Sequence, residues 1–528
     1  MAGHFKFLPV LLLAIFTFSA SGQLIASINC GTSDVMIGKN LIQWSPDDQL
    51  ISNGIARVVP PSHAYGSDFL ELNTLRVFTS RKKNCYSIGQ KLKGVKVLVR
   101  ARFNYGNYDG LSSPPTFDLH FDGNFWATVQ TYIGGTKSYE VIYVANGDSI
   151  SVCVAQTKPN QFPYMSTLEV RRLDPEIYKE VEKSRALFLR DRLCYGSYRY
   201  YRYPTDTYDR YWSSAYGVRY PLRTEAYTVN TTAPNNPPEE IFKNASTVYS
   251  TTDALYLLTV SPMDPPIYVN FYFTEATFFR FSLTRSFRIY EISASGSRPL
   301  SPPISPPTFE VVESFLYNYT VSSISNISLI ATVDSDFPPL INAMEAFNIS
   351  GVLTDGTNSN DVAALALLQR TFEVLRGWNG DPCLPAPYSW DWLNCNNDAR
   401  PRITSLHLDS FNLSGSLPDI SSLDALEIID LHNNTLNGSI PSFLGTMPNL
   451  KRLNLAYNRF SGPIPTSLSN KNKVELVVTG NPSLCTSGNS CSSSASQSEY
   501  SFLSWLLLLL LSLYVGERNM QMPTCQLL

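Results

Sequence analysis

The sequence predicts a mainly β protein: two tandem β-sandwiches followed by a short α/β solenoid. Three observations carry that prediction. Short aromatic and β-branched segments broken by Gly, Pro and Asn, such as VKVLVRARFNYG, PTFDLHFDGNFW and IYVNFYFTE, recur from residue 28 to about residue 350. Beyond residue 400 a unit with apolar residues at fixed offsets repeats. Between them lies WNGDPCLPAPYSWDWLNC at residues 378–395, a stretch dense in Trp and Pro and bracketed by two cysteines. A solenoid needs its first apolar layer covered, and this loop stands where the cover belongs.

Composition narrows the function. A formal net charge of −3 gives no electrostatic attraction to nucleic acid, so no nucleic-acid partner is expected. The chain has five histidines and lacks HExxH, a CxxC pair and a P-loop, so no metal, cofactor or catalytic residue is expected. Asp118 and Asp122 are the nearest approach to a hydrolase carboxylate pair, and the reading is that of a non-enzyme.

Residues 1–22 read as a signal peptide, with His4 and Lys6 before an apolar run from Phe7 to Phe18 and small residues before Gln23. The mature chain then folds in an oxidising compartment where cysteines pair. Sequons at Asn230, Asn244, Asn318, Asn326, Asn348, Asn412, Asn433 and Asn437 agree with export.

Residues 23–185 form the first β-module. Val95, Val97, Val99 and Ala101 alternate with Lys96, Leu98, Arg100 and Arg102, which predicts a strand with one wetter face. A charged connection, DPEIYKEVEKSRALFLRDR at residues 174–192, is expected to be more helical. The β pattern resumes in a second module over residues 186–350.

The runs RFNYGNYDGLSSPPTFDLHFDGNFWATV (102–129), INCG (28–31), LRVF (75–78), NCY (84–86), TYDRYW (207–212) and FPPLINAMEAF (337–347) resemble the plant malectin-like ectodomain. The resemblance implies two packed β-sandwich modules, related to an animal lectin that binds a glucose disaccharide, and a binding surface in place of a catalytic one. Tyr105, Asn107, Tyr108, Asp109, Phe125 and Trp126 are candidate ligand contacts, since rings can stack on a pyranose while polar groups catch its hydroxyls. The competing reading makes NYGNYDG a turn, with Gly106 and Gly110 at positive φ. Tyr195–Trp212, where arginines alternate with tyrosines, reads equally as a protein-binding hot spot or as an interface between the modules. Cys30, Cys85, Cys153 and Cys194 allow three pairings, and Cys30 with Cys85 is preferred.

Residues 351–400 hold an amphipathic helix, DVAALALLQRTFEVLRGW, with Asp361 as N-cap, and then the cysteine-bracketed cap closed by Cys383 and Cys395. Gly380, Asp381, Pro382 and Cys383 resemble the GDPC motif that joins malectin-like domains to leucine-rich repeats in plant receptors, including the symbiosis receptor kinase group. The resemblance implies a hinge linked there to ectodomain cleavage. Residues 401–491 are the leucine-rich repeats and their C-terminal cap. The unit at Leu426–Pro441 recurs at Leu450–Pro465, Asn434 and Asn458 are expected to form a ladder, and Cys485 is expected to pair with Cys491. A degenerate copy over Ile403–Leu417 carries Phe411 where the asparagine is expected. Residues 492–499 read as a Ser-rich spacer, 500–516 as a hydrophobic membrane segment and 517–528 as a tail. Kinase motifs are missing. The reading is a receptor-like protein at the plasma membrane with an extracellular ectodomain. It binds a cell-wall oligosaccharide or peptide and acts through a receptor kinase or co-receptor ectodomain; the alternative is a secreted or lipid-anchored decoy.

Overall fold

The computed structural model describes residues 24–66, 68–215, 220–223, 228–275, 283–469 and 474–485. The chain divides into two compact units, residues 1–362 with 375–403, and residues 363–374 with 404–528.

In the first unit both expected sandwiches form. Along Lys96–Asn104, Val97, Val99, Ala101 and Phe103 turn to one side and meet Phe117, Leu119, Phe121, Val152 and Val154 of an opposing four-stranded sheet. This packed apolar layer is the core of the first module. In the second, Val269, Phe271 and Phe273 of Ile267–Phe273 face Ile289, Ile327 and Leu329 in the same manner.

Sequence patterns did not disclose that the two modules share one sheet. Strands Leu24–Asn29, Thr167–Arg172, Lys96–Asn104 and Thr136–Val144 of the first module continue into Leu187–Cys194, Ala343–Ile349, Ile267–Phe273 and Val312–Tyr319 of the second. The seam is a short antiparallel ladder that pairs Val141 with Phe188 and Ile142 with Leu187. Two expectations change accordingly. The charged connection is not helical: residues 174–185 run as turns, and Leu187–Cys194 is a strand, because its alternating apolar residues find a partner edge on each side. The wetter face of Lys96–Asn104 is also buried, with Leu98 fully covered and Arg100 only 3% exposed. A second layer, including Ile177, Tyr178 and Tyr208, closes over Leu98, Ile142, Leu187 and Phe347 on that side.

In the second unit the repeats stack as parallel strands Ile403–His407, Ile428–Asp430, Arg452–Asn454 and Glu475–Val477, in register. Asn434 accepts from Leu413 N at 2.8 Å and donates to Leu408 O at 2.8 Å, while Asn458 accepts from Leu436 N at 3.0 Å and donates to Leu431 O at 2.8 Å. Asn481 adds a third rung by accepting from Phe460 N at 2.9 Å. The ladder satisfies inward-facing backbone groups that the turn of the solenoid would otherwise bury unpaired. Helix Ser359–Thr371 begins two residues before Asp361, so Asp361 is not the N-cap. Its carboxylate instead accepts Arg402 Nε and Nη2 at 3.0 and 2.9 Å, and Ile403 N at 2.8 Å. Among the described residues no helix is long and apolar enough to cross a membrane, and residues 500–516 lie outside them.

Candidate functional site

The segment NYGNYDG folds as the turn its glycines allow. Gly106, Asn107 and Gly110 have φ of +49°, +53° and +72°, and a Cβ on Gly106 would stand 2.4 Å from Val59 Cγ1. Tyr105 is fully buried, and its hydroxyl donates to Asp109 Oδ1 at 2.5 Å, while that oxygen also accepts Leu111 N at 3.1 Å. Tyr108 packs edge-on against Tyr105 at 5.5 Å and is half-buried. These contacts hold the loop together, with Tyr105 buried and Tyr108 partly accessible. Trp126 is 6% exposed, whereas Phe125 is 52% exposed. Both line a cleft of about 600 Å³ between the modules.

The Arg- and Tyr-rich stretch 195–212 serves chiefly as an interface. Asp209 accepts Arg202 through Oδ1 at 2.9 Å and Oδ2 at 2.8 Å, and Arg171 Nε at 2.9 Å. Arg100 donates to Glu140 at 2.8 Å and to the Asp209 carbonyl at 2.6 Å, and Glu169 Oε2 accepts Arg100, Arg171 and Arg202. Across the seam Arg192 bridges Glu140 at 2.8 Å and Glu345 at 2.6 Å. Burial would raise Asp209, but Arg202 and Arg171 outweigh it and hold the carboxyl well below the usual carboxylate range. Burial likewise acts to raise Glu140, and Arg192 and Arg100 overturn it.

Above this network opens the cleft that sequence reasoning missed. A cavity of about 430 Å³ is lined by Tyr65, Phe69, Tyr132 and Tyr211, with Arg100, Arg102 and Arg202 in its wall. Phe69 lies 5.2 Å under the Arg102 guanidinium, and Tyr200 continues the aromatic wall from Phe69 to Tyr211, against which it stacks at 5.3 Å with planes 17° apart. Arg102 Nη1 pairs with Glu71 Oε1 at 3.0 Å. Burial pulls its pKa below the usual guanidinium range and pushes Glu71 up, so the pair compensates its own desolvation incompletely. Ring faces beside guanidinium N–H groups suit a ligand with apolar faces and anionic or hydroxyl oxygens. Arg202 and Tyr211 belong to the Arg- and Tyr-rich stretch, and Arg100 and Arg102 to the alternating strand. Tyr65, Phe69 and Tyr132 sit in loops whose proximity no local pattern encodes.

The GDPC segment is docked on the first module. Asp381 Oδ1 accepts Cys383 N at 2.9 Å, Leu384 N at 2.8 Å and Thr357 Oγ1 at 2.5 Å. Lys83 Nζ donates to the carbonyls of Asp381 and Leu384 at 2.7 and 2.6 Å, and Arg81 lies 4.1 Å over Trp378. Gly380, at φ +77°, rests on a disulfide: a Cβ there would stand 2.5 Å from Cys85 Sγ and 2.9 Å from Cys153 Sγ. Tyr388 covers His120 at 5.2 Å and donates to Asp118 Oδ2 at 3.1 Å. Asp118 and Asp122 thus have structural partners, the latter accepting Tyr143 OH at 2.7 Å and Ser151 N at 2.6 Å.

Cys85 pairs with Cys153 and Cys383 with Cys395. The preferred Cys30–Cys85 bridge is therefore wrong. Cys85 and Cys153 face each other on adjacent antiparallel strands, while Cys30 and Cys194 are buried free thiols. Cys485 is disulfide-bonded, and Cys491 lies outside the described residues. Asn230, Asn318, Asn412, Asn433 and Asn437 are exposed, and Asn244, Asn326 and Asn348 half-buried. Asp409, Asp430 and His432 each bring one ligand-type atom within 4.8 Å of the others, and His432 Nδ1 lies within hydrogen-bond reach of Asp430 Oδ1 at 2.7 Å.

Residues 28–349 match the malectin-like domain model, and residues 425–447 and 449–471 match leucine-rich repeats. Probable LRR receptor-like serine/threonine-protein kinase At1g51860 of Arabidopsis thaliana is 32% identical over 74% of this chain and 44% of its own length. Uncharacterized protein At1g24485, also of Arabidopsis thaliana, is 34% identical over 66% of this chain and 69% of its own length. The chain therefore spans less than half of the first, a receptor kinase. Among solved structures, the plant receptor-like kinase FER shares the fold at TM-score 0.51 and 15% identity, over 62% of this chain and 96% of that one.

Proposed function

The chain belongs to the malectin-like domain family, in a form that also carries leucine-rich repeats, and from that premise we propose that it is a cell-surface receptor-like protein. It binds an extracellular carbohydrate or peptide ligand and acts through a partner receptor kinase or co-receptor ectodomain. One observation carries the ligand half of this reading: the cleft of about 430 Å³ in which Phe69, Tyr132 and Tyr211 stand beside Arg102. Rigid rings give contact area at low entropic cost, and a desolvated guanidinium gives directional donors. An occupant that supplies oxygen acceptors to Arg102 adds to the compensation that Glu169 and Glu71 leave incomplete against burial. We assign no bond-making step to the chain; among the described residues the cleft presents guanidinium donors and aromatic rings.

The test is a cell-wall oligosaccharide array and a pull-down of plant membrane ectodomains, each run with the wild type, Phe69→Ala and Arg102→Lys. A stacked ring or a charge-assisted hydrogen bond contributes roughly 1.5–3 kcal/mol, so each variant should lose about tenfold or more in affinity for the captured ligand. Equal binding by all three proteins refutes the assignment of this cleft, and a wild type that captures nothing in either format refutes the function.

A further inference from the structure

Asn348, one of the sequon asparagines, lines the cleft of about 600 Å³ between the modules, together with Phe125, Trp126, Phe188 and Val352. Its place follows from period two along Ala343–Ile349. Met344 and Ala346 point into the core of the second module, and Asn348 is the next residue on that face, where the strand leaves the core. The strand is paired on both sides, Asn348 lying opposite Phe188 and Ile267, so the side chain cannot swing to the other face. Asn348 Oδ1 is buried without a partner; Nδ2, the atom that would carry a glycan, is not among the buried unpartnered atoms. Opposite it the cleft exposes apolar surface, with Phe125 at 52% and Val352 at 70%.

We propose that this cleft is filled by the protein's own N-glycan on Asn348, whose first N-acetylglucosamine packs its apolar face and acetamide methyl on the Phe125 ring. The occupant is a covalent segment of the mature chain and not a diffusing ligand. A pocket of this volume takes a molecule of one to a few rings, and a tethered sugar meets the aromatic wall without the translational cost of free binding. The sugar also covers the exposed ring and leaves its hydroxyls toward water. The inference rests on the reading that the chain is exported, since only then does an oligosaccharide reach the sequon. It separates the sequons into two kinds: Asn318 and Asn437, exposed, would carry solvent-directed glycans, while the glycan at Asn348 would be structural.

The experiment uses the full chain secreted from plant cells held at high-mannose processing. Glycopeptide mass spectrometry measures occupancy at each sequon, before and after native treatment with an endoglycosidase that cleaves between the two core N-acetylglucosamines. The expected result is an occupied Asn348 whose glycan is released about tenfold or more slowly than that of Asn318 in the native protein, and equally fast after denaturation. In Phe125→Ala the native release rate at Asn348 should rise toward that at Asn318; Phe125 is half exposed, so the variant keeps its core. A bare Asn348 beside occupied sequons, native release as fast as at Asn318, or unchanged protection in Phe125→Ala overturns this inference and leaves export intact. A chain that the plant cells retain in the cytosol with no occupied sequon overturns the export reading and this inference together.

Discussion

His120 should make the first unit acid-sensitive in a pH range where ordinary carboxylates do not titrate. Its ring is 1% exposed, both nitrogens lack partners, and Tyr388 of the docked GDPC segment covers it. Burial, with a smaller contribution from the Lys83 ammonium, lowers its pKa from 6.5 to about 3. Because the folded value is depressed, the unfolded chain binds more protons between these limits, and stability falls as pH drops below about 6.5. At pH 5 the loss is the distance from 6.5 to 5 in pH, at about 1.4 kcal/mol per unit, or about 2 kcal/mol. His120→Phe keeps a ring against Tyr388 and removes the titration. Urea denaturation followed by tryptophan emission is the assay, since Trp378 and Trp390 stand 6.1 Å apart in the covering segment. The stability difference between variant and wild type should be about 2 kcal/mol more in the variant's favour at pH 5 than at pH 7. A difference that is the same at both pH values refutes the reasoning, because a packing effect of the ring change alone carries no proton.

Two further outcomes follow from buried groups. Burial raises Glu313 to about 7, so the folded state holds a proton that the unfolded state releases above about 4.5, and stability falls as pH rises through that window. Glu313→Gln should remove that slope and stabilise the protein by about 2–3 kcal/mol at pH 7.5 in the same denaturation assay; an unchanged slope would show that the carboxyl is ionised in the fold. Gly380→Ala adds a Cβ against the Cys85–Cys153 sulfurs at a residue with φ +77°. It should undock the segment and speed proteolysis within residues 377–395 by about tenfold or more, a loss of 1.4 kcal/mol or above; limited proteolysis with mass mapping reads it, and an unaltered cleavage rate would mean that the contact is not what holds the segment.

What could be read from the sequence is what local spacing encodes. The offsets of Leu426, Ile429, Leu431 and Asn434 define one turn of the solenoid by themselves, and the structure stacks them as expected. Alternation along Val97, Val99 and Ala101 fixes which face meets the opposing sheet. What could not be read depends on pairing between distant segments. Arg100 reads as part of a wetter face because it alternates with Val99 and Ala101 and shares its side with Lys96 and Arg102; its partners Glu140, Glu169 and Asp209 arrive from three other strands or loops and make burial tolerable. The cysteine error has the same origin, since the register that sets Cys85 opposite Cys153 is a property of the sheet. The ligand candidates differ in exposure, which the sequence does not convey: Phe125 is half exposed, while Tyr105 is buried. The rings of Tyr105 and Trp126 have the right chemistry, but a motif conveys composition without exposure, and Tyr132 and Tyr200, which stay accessible, lie outside the quoted NYGNYDG run.

The seam between the modules bears on how any bound ligand could be felt elsewhere. Its ladder has two residue pairs, too few to fix the modules by backbone bonding alone. The ionic network supplies the rest, because Arg192 reaches Glu140 on one side of the seam and Glu345 on the other. A slip of one residue would turn Arg192 to the opposite face and strand two buried carboxylates, and breaking a single buried pair of this kind costs roughly 3–5 kcal/mol. The seam therefore has one favourable register and resists hinge motion. Since Arg100 and Arg202 belong both to this network and to the wall of the proposed ligand cleft, an occupant would meet a preorganised surface. Signalling in such a protein would then work by adding the ligand's own surface to that of a rigid body and so creating a face for the partner, rather than by bending one module against the other.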